Sequence, residues 1–295
     1  MEEDKSMYLV LGITGHVGGS AARHLLEQGK RVRAMVRDET KAAAWSARGV
    51  EVVKGEWQDS AALTKALEGV TGAYLMMPPT QAPSKDFREA KAVIASYQEA
   101  LSKVLPSKLI VLSSMGSEKP DKLGAITATH LLEQALWNIA TSVAFVRAGS
   151  FYENLTYGLQ SGQGGVLPVF WSPTGRKIPA VATEDIGAEV SKLLTTGWSG
   201  RRIIELGSMV SPEEIVHQLG EVLGKEVTVQ AVPRDAWAAT LEGMGIPPGG
   251  TWAFEEMADS VNSGWIGFGV EGTERVEGTV TAKQFFVAAE KALQK

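Results

Sequence analysis

Along this chain, short wholly apolar runs alternate with stretches in which apolar residues recur every three or four positions. The first run, residues 8–11, is apolar throughout, as a strand buried on both faces requires. Glycines at 12, 15 and 18 break it. A helical pattern follows, with Val17, Ala21, His24 and Leu25 along one side, and it stops at Gly29. Further strands are predicted at 31–36, 51–55, 72–77, 108–113 and 142–147. Between them, Asp59 is placed to cap a helix ending at Leu67, and helices are predicted over 84–105 and 127–139. Pro78 and Pro79 end the fourth strand. Strand, helix and strand recur at short intervals with no internal repeat, which predicts right-handed crossovers and a parallel sheet.

Beyond Arg147 the pattern loosens. Residues 161–175 read as a glycine-rich loop carrying Phe170 and Trp171. A strand at 178–181, a helix at 182–196 and a strand at 202–206 follow. Ser211, Pro212 and Glu214 form a capping box with proline in the first turn, opening a helix to Leu223. A strand at 227–232, a turn at 245–250 and a last helix opened by Thr281 and Gln284 complete the chain. The predicted class is α/β: a Rossmann-type doubly wound parallel sheet over residues 1–155, with a smaller α/β C-terminal substrate lobe over 156–295. Segments around 178–207 are expected to return to the first sheet. The cleft between the lobes is the expected substrate site.

The order strand, glycine turn, helix is the phosphate-binding corner of a dinucleotide fold. Gly12 allows a tight turn, Gly15 a close backbone approach to pyrophosphate, and Gly18 close packing of helix on strand. Free N–H groups and the helix dipole then favour an anion. The alternative is a tight corner without a ligand. At the end of the second strand, where an NAD-preferring unit carries an acid, stands Arg37, with Lys41 one turn on. A guanidinium cannot accept from a ribose hydroxyl but pairs with a 2′-phosphate. Such a contact contributes about 1.5–3 kcal/mol, a preference for NADPH over NADH. Two other readings stay open: Asp38 in the acidic role, or Arg37 and Lys41 as solvated surface charges.

Of the 295 residues, 44% are hydrophobic and 21% charged, and the formal net charge is −5. This composition suits a packed globule and argues against a general nucleic-acid binder. The absence of cysteine excludes disulfides, thiolate metal sites and a cysteine nucleophile. The polar, acidic start lacks the features of a signal peptide, and no apolar run approaches a membrane span. A cytoplasmic protein is expected, as a monomer or a small homo-oligomer. His24 and His217 have no second ligand at metal spacing, so no metal site is expected.

Several segments together resemble the NmrA-like branch of the atypical short-chain dehydrogenases/reductases. They are Gly12-Ile-Thr-Gly-His-Val-Gly18, residues 33–38, residues 50–56 with Asp59, Ser113-Ser114, and residues 145–154. The last is similar to the family's Arg-x-Gly-x-Phe/Tyr-x-Glu-Asn stretch. Within the family, the chain looks closest to bacterial NAD(P)H-quinone reductase and azoreductase-like members, which have a His-x-x-Glu after the fifth strand, here His130 to Glu133. The resemblance implies NADP(H) binding. It puts Gly12, Thr14, Gly15, His16, Val17 and Gly18 on the phosphates, and Arg37 and Lys41 on the 2′-phosphate. Glu56 and Trp57 fall beside the adenine, Met76, Met77 and Pro78 along the ribose, and Ser150, Phe151 and Tyr152 near the nicotinamide. Position 56 is usually aspartate in the family.

None of the five tyrosines has lysine four residues on, so the Tyr-x-x-x-Lys proton-transfer pair is missing. Two candidates replace it. His130 suits general acid work, with Glu133 on the same helical face to orient it; the alternative is a polar helix residue. Tyr152 is the other candidate, or a wall of the nicotinamide pocket. Trp137 and Trp237 fall in helical patterns and read as packing residues. Trp171 and Trp265, in glycine-bordered loops, are candidates for lining an aromatic substrate pocket. The expected function is NADPH-dependent reduction of a quinone, azo compound or related unsaturated carbonyl by hydride transfer. The alternative is a non-catalytic redox sensor that binds NADP(H) and contacts a regulatory protein.

Overall fold

The structure, a computed structural model, describes residues 6–293. Residues 1–5, most of the polar start discussed above, lie outside that range, as do 294 and 295. The chain begins β1 (Met7–Val10), α1 (His16–Glu27), β2 (Arg31–Val36), the short α2 (Ala43–Ser46), β3 (Glu51–Lys54) and α3 (Ser60–Leu67). It continues β4 (Gly72–Leu75), α4 (Arg88–Lys103), β5 (Lys108–Ser114), α5 (Thr127–Leu136) and β6 (Ser142–Ala148). These six strands lie parallel in the order β3-β2-β1-β4-β5-β6.

Alternation along each strand splits the core into two layers. Val10, Val32, Tyr74 and Ile110 face one way and meet Val17, Ala21 and Leu25 of α1. Leu9, Ala73, Leu75 and Val111 face the other and meet Leu63 of α3, Tyr97 of α4 and Leu132 of α5. Burial on both faces is why these strands read as continuous apolar runs rather than alternating ones.

The second half is interleaved with the first. It runs β7 (Ser150–Phe151), α6 (Gly158–Ser161), β8 (Val166–Val169), β9 (Ile178–Val181), α7 (Thr183–Thr195), β10 (Arg201–Leu206) and β11 (Ser208–Val210). Then come α8 (Pro212–Leu223), β12 (Thr228–Ala231), α9 (Trp237–Gly243), α10 (Thr251–Ser263), β13 (Glu274–Val276) and α11 (Ala282–Leu293). β10 pairs with β6 and β13 with β10, both parallel, extending the first sheet to eight strands. α7 packs on the α1 side of that sheet through Ile186, Val190 and Leu193. Between the two helices, Glu184 accepts from Ser20 at 2.9 Å and Arg23 at 2.7 Å, and lies 2.9 Å from His24.

A second core unites Tyr152, Leu155, Leu167, Leu219 and Phe286. Around it lie a three-stranded sheet, β11-β9-β7, and the parallel pair β12-β8. No helix among the described residues is long and apolar enough to cross a membrane.

Three local expectations differ. The glycine-rich stretch is a loop only in part, because β8 lies inside it and pairs with β12, burying Leu167 and Val169. α4 starts at Arg88, not 84: Ser84 instead bonds Glu89 and the Arg88 N–H, and Phe87 takes a left-handed φ of 53°. α5 ends at Leu136, and Trp137 turns to stack on Phe145.

Candidate functional site

Gly12 leaves β1 with φ +66°, and a Cβ there would stand 2.6 Å from the Met76 sulfur. Gly18 is in closer contact still, since a Cβ would meet the Gly12 carbonyl oxygen at 2.4 Å. Gly15 N-caps α1 without any side-chain bond to the first turn. The opening N–H groups of the helix are thus left free of a side-chain acceptor, at the positive end of its dipole. Thr14, Gly15 and His16 are exposed at this corner. The Val17 side chain is buried in the core, so only its backbone faces the corner.

Beside the corner lies a polar cavity of about 400 Å³, over the carboxyl ends of β1, β2 and β3. Gly12, Thr14, Arg37, Lys41, Glu56 and Trp57 are among its walls. Asp38 also borders it, but its carboxylate accepts from the Thr40 hydroxyl at 2.6 Å and the Thr40 N–H at 3.0 Å. Those bonds hold its carboxyl below the ordinary range. Asp38 therefore caps its own turn, and among the described residues neither Arg37 nor Lys41 is in an ion pair.

Met76 covers Gly12 with its side chain, and its carbonyl accepts from Tyr97 at 2.6 Å. Met77 and Pro78 line a further cavity of about 260 Å³, with Thr129 and Phe254 opposite. Phe254 is also a wall of a third cavity, of about 280 Å³, which is almost wholly apolar. Met115, just past β5, and Ser150 of β7 form the part of this pocket next to the parallel sheet. Asn154, Tyr157, Phe170, Trp171 and Trp237 are further walls, with Met244 just past α9 and Met257 of α10. Phe170 meets Trp237 edge-on at 5.8 Å. Two polar groups of the wall are already engaged: the Tyr157 hydroxyl donates to Pro168 O at 2.7 Å, and Trp237 Nε1 to Val232 O at 2.8 Å. Burial pushes the Tyr157 phenol up to about 12.

Below these cavities, at the ends of β5 and β6, sits a buried charge cluster. Arg147 forks onto Glu133, with Nε to Oε1 at 2.9 Å and Nη2 to Oε2 at 2.7 Å. Ser113 donates to the same carboxylate, and Glu118 lies 3.2 Å from Arg147 Nη1. Burial works against the Arg147 charge, and the bonds and charge of Glu133 overcome it. The His130 Nδ1 is 2.8 Å from Ser117 O, so that nitrogen carries the proton and donates, leaving Nε2 as the open ring position.

The sequence profile of the NmrA-like family matches residues 4–279. The chain belongs to the NmrA-like family. It is 30% identical over 262 residues to (4-alkanoyl-5-oxo-2,5-dihydrofuran-3-yl)methyl phosphate reductase of Streptomyces griseus subsp. griseus, covering 88% of each chain. It is 26% identical over 259 residues to NAD(P)H azoreductase of Xenophilus azovorans, covering 87% of this chain and 85% of the relative. Among solved structures, triphenylmethane reductase of Citrobacter sp., complexed with NADP(H), shares the fold. Its TM-score is 0.79 at 19% identity, over 96% of this chain and all, 100%, of that one.

Of the positions that the NmrA-like resemblance implied, the polar cavity brings together Gly12, Thr14, Arg37, Lys41, Glu56 and Trp57. Three expectations need correction. Glu133 does not orient His130, because its carboxylate is taken by Arg147 and Ser113. Tyr152 is not a wall of any of these cavities. Strand alternation aims Ser150 at the apolar pocket and Phe151 at the sheet core, while Tyr152 turns into the second core against Phe285. Burial, with Asp185 and Glu214 nearby, raises its phenol to about 12, which makes it a poor proton donor near neutrality. Trp265 stands outside the pocket, donating to Asp121 O at 3.0 Å beneath Lys119. Trp171 does line the pocket. So does Trp237, which helical periodicity read as packing; its position at the first turn of α9, facing the lobe interface, has no sequence signature.

Proposed function

We propose that this protein is an NADPH-dependent oxidoreductase that passes hydride to a quinone, azo compound or related unsaturated carbonyl held in the apolar pocket. The observation that carries the reading is that two unlike cavities, one polar and one apolar, both lie at the carboxyl edge of one parallel sheet, where open α/β folds take their ligands. The residues fit the cofactor. Gly12 and Gly18 admit no side chain, the start of α1 is free to bind pyrophosphate, and Arg37 and Lys41 are unpaired beside the adenosine end. When bound, the dihydronicotinamide supplies the hydride.

In this reading, Arg37 and Lys41 hold the 2′-phosphate and Trp57 flanks the adenine. Met77 and Pro78 line the cavity that shares Phe254 with the apolar pocket and would border the ribose. The aromatic walls exclude water from the acceptor. His130 would hold a transferable proton at Nε2 in its doubly protonated form, with the Nδ1–H bond to Ser117 fixing the ring; it stands next to Thr129 of the cavity that shares Phe254 with the apolar pocket, not in a cavity wall itself. The reading also draws on the relatives named as reductases.

The test is a titration with NADPH and NADH side by side, followed by tryptophan fluorescence, and then an acceptor screen for NADPH consumption. Tight NADPH binding, weaker NADH binding and turnover support the proposal. Tight NADPH binding without turnover on a broad panel favours the redox sensor. Binding of neither nucleotide overturns both.

A further inference from the structure

The apolar pocket has no charged side chain in its wall. Two cations beside its walls are occupied. Arg234 lies 4.6 Å over the Trp237 ring, but its guanidinium is bound to Asp259 at 3.0 Å and Glu255 at 3.2 Å. Arg176 donates to the carbonyls of Asn262 and Val261 in the last turn of α10. Residues 234–263, which carry α9 and α10, hold one basic residue, Arg234, against the acids Asp235, Glu242, Glu255, Glu256 and Asp259. This segment thus carries an excess of acids, and none of its charged side chains is a wall of the pocket. Among the described residues, Ser150, Asn154 and the Trp171 indole N–H are the polar side-chain groups of the wall that make no hydrogen bond; Ser150 and Asn154 are those that lie together near the start of the second lobe.

We infer that the pocket selects flat aromatic acceptors that carry no negative charge, anchored at one polar end by Ser150 and Asn154. A sulfonate, carboxylate or phosphate entering here would lose its hydration and meet no cation to replace it. A neutral carbonyl loses far less and regains a bond from the Asn154 amide or the Ser150 hydroxyl. The rings Phe170, Trp171, Trp237 and Phe254 supply the stacking and edge contacts that planar ligands use. Met244 and Met257 supply surface that adapts to ring shape. The Streptomyces griseus relative is named for a phosphate-bearing substrate; this wall disfavours that group. The use made of the acceptor rests on the reductase reading, but its binding does not.

The experiment compares menadione with naphthoquinone sulfonate on the NADP+-loaded protein, through absorbance-corrected quenching of the tryptophans in the wall. Menadione is expected to bind at least about tenfold more tightly. Met244→Arg places a cation at an exposed rim position, 47% accessible, and is expected to narrow the gap by strengthening sulfonate binding. Asn154→Leu is expected to weaken menadione binding about tenfold. Equal affinities, tighter sulfonate binding, or binding of neither compound overturns the inference. If menadione binds selectively but NADPH is not consumed, the inference stands and the reductase reading falls. If NADPH is consumed equally well with the sulfonate, the reductase reading stands and the inference falls.

Discussion

The cavity over β1–β3 and the pocket beneath α9 and α10 open on one sheet edge, yet they are built from opposite materials. The first has backbone N–H groups, two unpaired cations and little enclosed apolar surface. The second has aromatic rings, methionines and a few neutral polar groups free of hydrogen bonds among the described residues. Charge recognises a ligand whose anionic groups sit at fixed places, because a guanidinium and a phosphate meet in a defined geometry. Apolar walls recognise area and shape and tolerate variety. A protein that must keep one partner and vary another is served by this division. Substitutions in one cavity should therefore leave the other's ligand nearly untouched, whereas substitutions beneath both should damage both.

The largest expected effect breaks the division. Glu133→Ala leaves Arg147 buried without its forked partner, at a cost of about 3–5 kcal/mol in stability, so thermal unfolding should move down sharply and binding at both cavities should weaken together. Arg37→Ala sharpens it: NADPH affinity should fall by about 1.5–3 kcal/mol, with NADH affinity and acceptor KM unchanged in steady-state titrations. His130→Ala should lower kcat about tenfold, with little change in NADPH affinity. Tyr152→Phe should leave kcat/KM within about twofold of the parent, since the residue packs in the second core against Phe285 and is not a wall of the cavities.

The smallest effect lies in neither cavity. At Glu184, burial raises the carboxyl, but the bonds from Arg23 and Ser20 and the charges of Arg23 and His24 outweigh it and hold it below its ordinary value of 4.5. Its contribution is present above that value and is lost as the pH falls through the lower folded one. Solvent screening at this half-exposed pair keeps it under about 1 kcal/mol. Comparison of parent and Glu184→Gln melting across the acid range measures it.

The phosphate corner was legible because its parts are adjacent in sequence: three glycines, a strand before and a helix after. Arg37 and Lys41 were legible for the same reason, since the end of β2 fixes where they stand. The partner of Glu133 was not, because helical spacing points to His130, and only the packing of α5 across β5 and β6 brings Arg147 to it. Tyr152 was misplaced because the strand ends at Phe151 and the turn that starts at Tyr152 carries its side chain against Phe285, far along the chain. β8 was hidden by the glycines around it, and the partner that holds it, β12, lies far along the chain. What escaped the sequence was in each case a contact between distant segments.

The return of β10 and β13 to the parallel sheet bears on how such a protein acquires new chemistry. Because the chain crosses between the lobes repeatedly, no single cut separates them. Recombination that replaced the whole second half would carry off α7 from beside Ser20 and Arg23 and leave β6 as an open edge. Descent with a changed substrate must then proceed by replacing pocket side chains in place, one lineage diverging from the next while inheriting the same nucleotide grip.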